Sequence, residues 1–102
     1  MVSGKVALVT GGAGDLGNEM AFQLAQAGAD VIIWDIVPQS LAQARIDRIS
    51  AIGKRVLYQE VDVSNREAVD NAIDAAISTM GGLDIICSNA GIVDSAPFLQ
   101  IT

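Results

Sequence analysis

The 102-residue chain contains no histidine and a single cysteine, Cys87. Neither a Ser-His-Asp nor a Cys-His catalytic set can be assembled from it, and the Cys/His groups that hold zinc are missing, so no metal site is expected. One thiol also rules out an intrachain disulfide, which fits a reducing, cytoplasmic setting. Cationic residues are scarce: six Lys and Arg stand against twelve Asp and Glu, for a formal charge of −6. That sign is wrong for a surface that grips polyphosphate backbones or anionic lipid, so neither nucleic acid nor a membrane is an expected partner. Long apolar runs are absent as well. The first, Val6 to Val9, is cut off by Thr10-Gly11-Gly12, too short for a signal-peptide core, and no stretch approaches a membrane span. Without repeats, low-complexity tracts or a linker-like segment, the chain reads as one unit.

What is present is ample apolar material, 51% of the residues, arranged in alternating periods. Lys5 to Thr10 is a short β-branched run that stops at Gly11-Gly12, the form of a strand buried on both faces. Leu16, Met20 and Leu24 then recur four apart beside Ala21 and Ala25, predicting a helix over Asp15 to Ala27 closed by Gly28. Val31 to Trp34 is a second buried-strand run ended by Asp35. Pro38 suits the first turn of a second helix, whose inner face is Ala42, Ile46 and Ile49 before Gly53. Arg55 to Val61 reads as a third strand. Ser64-Asn65-Arg66-Glu67 has the form of a capping box with Ser64 as the cap. The third helix that follows carries Val69, Ala72, Ile73, Ala76, Ile77 and Met80 as one apolar stripe and ends at Gly81-Gly82. Leu83 to Ser88 is a fourth strand. The order βαβαβαβ calls for an α/β, doubly wound parallel sheet of the Rossmann type, with right-handed crossovers and helices on both faces.

The first strand-to-helix turn, Thr10-Gly11-Gly12-Ala13-Gly14-Asp15-Leu16-Gly17, contains Gly12-x-Gly14-x-x-Gly17 in the strand–turn–helix setting that the dinucleotide fingerprint requires. Glycines there permit a tight turn and close approach of backbone amides to a pyrophosphate, whose charge the helix N-terminus receives. Asp15 adds a negative charge near that position and is expected to cap the helix. Asp35 ends the second strand 18 residues after Gly17, near the spacing of about 20 at which an acidic side chain reaches the adenosine ribose. A carboxylate accepts hydrogen bonds from a 2′-hydroxyl and repels a 2′-phosphate, and no Arg or Lys lies between Lys5 and Arg45. NAD is therefore favoured over NADP. Trp34 and Phe22 lie inside apolar periodic segments and read, with Phe98, as packing groups; Cys87 reads as a small buried hydrophobe.

Together, Thr10-Gly11-x-x-Gly14-x-x-Gly17, Asp62 in Val61-Asp62-Val63, and Ser88-Asn89-Ala90-Gly91 resemble the short-chain dehydrogenase/reductase family, over the whole chain and in order. The resemblance implies cofactor contacts from Gly11, Gly14, Asp15, Leu16 and Gly17 in the first turn and from Asp35 and Ile36 after the second strand. It further implies that Asp62 hydrogen-bonds the adenine amino group, that Val63 flanks the ring, and that Asn89, Ala90 and Gly91 brace the sheet beside the cofactor. The glycine spacing is like that of the family's extended branch, whereas Ser88-Asn89-Ala90-Gly91 is like the single-domain branch.

The family's chemistry resembles a Tyr-x-x-x-Lys pair assisted by Ser and Asn. Here the only tyrosine is Tyr58, with Asp62 four residues on, so no catalytic residue is assigned within the 102 residues. Thr102 has the character of an N-cap whose helix does not follow. The expectation is that residues 1–102 are the N-terminal part of a single dinucleotide-binding domain in a longer, oligomeric NAD-dependent oxidoreductase acting on an alcohol or ketone. A non-catalytic NAD-binding module and an epimerase or dehydratase that uses NAD internally stand as alternatives.

Overall fold

The computed structural model describes residues 3–88. Its core begins with β1 (Val6–Thr10), buried along its whole length. Such a strand needs neighbours on both edges and cover on both faces, because every one of its side chains avoids water. Its neighbours are β2 (Asp30–Asp35) and β4 (Ile85–Cys87), both parallel to it. β3 (Val56–Glu60) pairs with the far side of β2, so the sheet runs β3-β2-β1-β4. Register sets Val6 opposite Asp30 and Thr10 opposite Trp34, and Val9 opposite Cys87. The C-terminal ends of β1, β2 and β3 thereby reach one edge of the sheet together, and strand order reverses between β1 and β4.

Helices α1 (Asp15–Gln26), α2 (Gln39–Ser50) and α3 (Arg66–Met80) supply the crossovers. Alternation along the strands divides the core in two. Val6, Leu8, Ile32 and Trp34 pack against Ala72, Ala76 and Met80 of α3. Val9, Val31, Ile33 and Cys87 face the opposite way, onto Ala21 and Ala25 of α1 and Ile49 of α2. The sheet is therefore doubly wound, as the element order implies. Trp34 is 3% exposed and donates its indole N–H to Gln59 Oε1 at 2.7 Å, a packing residue with its one polar atom satisfied. Among the described residues no helix is long and apolar enough to cross a membrane, and no three His, Cys, Asp or Glu side chains gather as a metal site.

The strands and helices follow the expected order, with ends differing by one to two residues. Four local readings are corrected. The stripe Leu16-Met20-Leu24 faces inward only in part: Met20 and Leu24 are partly buried against the core, but Leu16 is 67% exposed, and the fully buried positions are Gly17, Asn18, Ala21 and Ala25. Close approach of α1 to the strands needs small residues at the contact, and that need overrides the larger apolar side chains. α3 is capped by Asn65, whose Oδ1 accepts from the Ala68 amide, and not by Ser64. The Ser64 hydroxyl is already committed to Asp62 at 2.7 Å. Ile77 turns half out of the stripe at 43% exposure. Pro38, finally, stands at the N-cap of α2 and not within its first turn.

Candidate functional site

The loop between β1 and α1 is built by geometry that only glycine tolerates at two of its positions. Gly11 has φ +67°, in the left-handed region. At Gly12 a Cβ would stand 2.6 Å from Ile33 Cγ2 and 3.1 Å from the Val9 carbonyl oxygen, so the backbone must pass directly over β2. The Gly12 amide donates to the Trp34 carbonyl, which pins the loop across the ends of both strands. Gly14 is the N-cap of α1, extended at φ −81°, and makes no side-chain cap bond to the first turn of the helix. Those amides, with the positive end of the helix dipole, are left facing outward at the C-terminal edge of the sheet.

Asp15 is the first residue of α1 and not its cap. Its carboxylate lies in an ion pair with Arg45 of α2. The physical reason is location: Asp15 stands one residue past the N-cap position, and Arg45 of α2 engages its carboxylate. Arg45 also donates to the Ala13 carbonyl at 3.2 Å. One helical turn on, Arg48 donates to Asn18 Oδ1 and Glu19, and stacks over Phe22 at 3.9 Å from the ring centre. Asn18, 2% exposed, returns its amide to the Gly12 carbonyl at 3.2 Å. Two arginines of α2 thus hold the glycine loop from outside, one directly and one through a buried asparagine.

Asp35 closes the loop from the other side. Its Oδ2 accepts from the Ala13 amide at 2.9 Å and its Oδ1 from the Ile36 amide at 2.7 Å. Each carboxylate oxygen keeps a further lone pair, so the group can accept from two more donors without leaving the loop. Ile36 beside it is 67% exposed. The segment after β2 is fastened by Tyr58, whose hydroxyl donates to the Val37 carbonyl. Burial pushes the Tyr58 phenol above its ordinary range, helped by the charges of Asp35 and Glu60, so it remains a neutral hydrogen-bond donor.

After β3, Asp62 is exposed. Its Oδ1 accepts from both the amide and the hydroxyl of Ser64, hydrogen bonds that hold its carboxyl below the usual carboxylate range. Val63 beside it is 39% exposed. The structure therefore brings Gly11, Gly14, Asp15, Leu16, Gly17, Asp35 and Ile36 around one loop and places Asp62 and Val63 farther along the same sheet edge. Asn89, Ala90 and Gly91 lie outside the described residues, as does Phe98. Cys87 is buried, and burial raises its thiol above the ordinary range; a protonated thiol in an apolar layer is no nucleophile.

Arg45, Arg48 and Asn18 were not singled out by their positions in the sequence. The available signal was modest: Arg45 and Arg48 are three apart in α2 and flank the buried Ala42-Ile46-Ile49 stripe, so both point toward whatever α2 packs beside.

A glycine loop wedged against β2, an uncapped helix and a carboxylate at the next strand end, all beside the point where strand order reverses, define a doubly wound dinucleotide-binding fold. The short chain dehydrogenase family model matches residues 5–102. The chain belongs to this family. It is 38% identical to L-2,3-butanediol dehydrogenase of Corynebacterium glutamicum over 100 residues, covering 96% of this chain and 38% of that protein. Among solved structures, carveol dehydrogenase of Mycobacterium avium in complex with NAD superposes with a TM-score of 0.81 at 37% identity, over 89% of this chain and 37% of that one. NAD+-bound xylitol dehydrogenase superposes at 0.83 with 29% identity, over 89% and 35% respectively. The chain spans less than two-fifths of the length of each. These relatives are oxidoreductases, and the structures are nicotinamide-bound.

Proposed function

We propose that this chain is the cofactor-binding N-terminal part of one dinucleotide-binding domain, in an NAD-dependent oxidoreductase that moves hydride between the nicotinamide and an alcohol or carbonyl carbon. When bound, the dinucleotide supplies the hydride acceptor or donor that no side chain can provide. The first-turn amides of α1, with Gly11, Gly14 and Gly17 around them, receive the pyrophosphate. Asp35 accepts from the adenosine ribose hydroxyls, and the exposed Leu16 and Ile36 offer apolar cover beside the nucleoside. Asp62 reaches the adenine amino group through the carboxylate oxygen not held by Ser64, with Val63 against the ring. Asn89, Ala90 and Gly91 are assigned by sequence pattern to the wall beside the cofactor.

The observation that carries this reading is the Asp35 carboxylate, anchored by the Ala13 amide beside an uncapped helix N-terminus. A fixed negative charge there accepts from a 2′-hydroxyl and repels a 2′-phosphate, which favours NAD over NADP. The NAD-bound neighbours support a nicotinamide cofactor. Proton transfer falls to residues outside these 102, since Tyr58 is committed to Val37 in the sheet. A small alcohol or ketone substrate, a homo-oligomeric parent and a cytoplasmic location complete the proposal, the last in keeping with the lone buried thiol.

Fluorescence titration of the intact protein with NADH and NADPH tests the cofactor assignment. NADH should bind at least about tenfold more tightly, and Asp35→Ala should weaken NADH binding and narrow the gap. Tighter binding of NADPH, or a ratio unmoved by Asp35→Ala, removes the residue from the site. Alcohol oxidation followed through the absorbance of reduced nicotinamide then tests turnover.

A further inference from the structure

Ala13 is gripped at both of its backbone polar groups. Asp35 accepts from its amide, and Arg45 donates to its carbonyl. Since the amide nitrogen and carbonyl oxygen of one residue are only about 3.7 Å apart at most, those two contacts bring the Asp35 carboxylate and the Arg45 guanidinium within about 10 Å of each other. A phosphate on the 2′ oxygen of a ribose held at Asp35 is then within reach of Arg45. That guanidinium is already occupied, because its other arm is paired with Asp15. Arg48, the second arginine of α2, is committed to Asn18 and Glu19. Asp15, Asn18, Ala44, Arg45 and Arg48 line an open cleft of 380 Å³ between α1 and α2, so a guanidinium released from Asp15 has room to turn.

We propose that Asp15 is a specificity-determining residue: its carboxylate engages the Arg45 guanidinium and withholds from the adenosine ribose a cation that could neutralise a 2′-phosphate. The inference rests on the reading that Asp35 receives that ribose. Discrimination against a phosphorylated dinucleotide then has two sources, direct repulsion by Asp35 and sequestration of Arg45 by Asp15. The pair is exposed, with the Asp15 side chain 95% accessible. It therefore contributes little to stability, and Asp15→Asn should leave the fold intact.

The test is the ratio of NADPH to NADH dissociation constants, measured by cofactor fluorescence on the intact protein as wild type, D15N, R45A and the double variant. D15N should lower the ratio at least about threefold by freeing the arginine for the phosphate. R45A should loosen the loop toward both dinucleotides together and hold the ratio near wild type. In the R45A background, D15N should then have no effect on the ratio. A D15N effect of equal size without Arg45 would mean long-range charge alone and would overturn the proposal. So would a ratio unmoved by D15N, or one raised by R45A, which would show Arg45 already serving the phosphate. If the wild type binds neither dinucleotide, the cofactor reading itself falls and this inference with it; if the wild type binds NADH and only the Asp15 series fails, the cofactor reading survives alone.

Discussion

Helices α1 and α3 both begin just after a parallel strand ends, yet their first turns are satisfied in opposite ways. α3 is closed by its own sequence: Asn65 accepts from the Ala68 amide, and Asp62 gathers the amide and hydroxyl of Ser64. α1 begins at a glycine, which makes no side-chain cap bond to its first turn. α2, which begins at Pro38, also lacks a side-chain cap, but it has no glycine loop wedged against a strand. A capped helix end is a finished structural joint. An uncapped one whose loop is pinned by Trp34, Asn18, Asp35 and Arg45 has first-turn donors that its N-cap does not use, the donors the proposed function gives to the pyrophosphate. Order in the loop is supplied from behind, so the amides in front stay available.

That contrast can be broken most severely at Gly12. Gly12→Ala puts a methyl 2.6 Å from the buried Ile33 side chain, and displacing either one should cost about 1–3 kcal/mol of stability in urea denaturation, with dinucleotide affinity falling as the loop lifts. A more pointed variant is Gly14→Ser, which gives α1 the kind of cap α3 already has. Gly14 is extended, and its nearest neighbour to a new Cβ is 3.5 Å away, so the fold should accept it with a stability change of a few tenths of a kcal/mol. NADH affinity should nevertheless drop about tenfold, because the serine oxygen takes a donor that the proposed function assigns to the pyrophosphate. Unchanged affinity in the titration would show that the first-turn amides of α1 do not contact the cofactor.

Smaller effects belong to the joints that carry structure alone. Asn65→Ala should cost about 1 kcal/mol in thermal or chemical denaturation and leave NADH affinity within twofold, the inverse of the Gly14 result. At the opposite edge of the sheet, Arg55 reaches Asp30 through its backbone amide and its guanidinium. Partial burial works against the Asp30 charge, but these hydrogen bonds outweigh it and hold the carboxyl below its ordinary range. A lowered folded-state pKa gives stability that is complete above the unfolded value, about 4, and lost as pH falls through the folded one. Arg55→Ala should remove under about 1 kcal/mol at neutral pH and flatten the acid limb of the stability curve, measured by denaturation between pH 7 and 3.

Much of the fold was legible because burial on both faces leaves a continuous apolar run, and Val6–Val9 and Val31–Trp34 are such runs. The stripe of α2 was equally readable: Ala42, Ile46 and Ile49 are all buried. The stripe of α1 held at Met20 and Leu24, which pack on the core, and misled at Leu16, because size and burial part company where a helix lies close on a strand. Gly17, Ala21 and Ala25 make the contact, and Leu16 is left outside. Caps misled for a different reason. Ser64 and Asn65 are both good cap residues, and the choice between them was made by Asp62, which holds the Ser64 hydroxyl. Asp15 has the chemistry of a cap but stands one residue too late in the helix.

The candidate site divides in the same way. The amino-acid sequence by itself determined the order of strands and helices, the glycine loop and the carboxylate at the end of β2, because each depends on period or spacing within a short segment. Only the tertiary structure decided that Arg45, 30 residues from Asp15, would pair with it and grip Ala13. It also decided that Asn18 would be buried between Gly12 and Arg48. The absence of Lys and Arg between Lys5 and Arg45 is a property of the chain as a line. The sheet and its crossovers set α2 against α1, and the packing of two helices on one face brings a distant guanidinium to the loop that the line alone leaves without one.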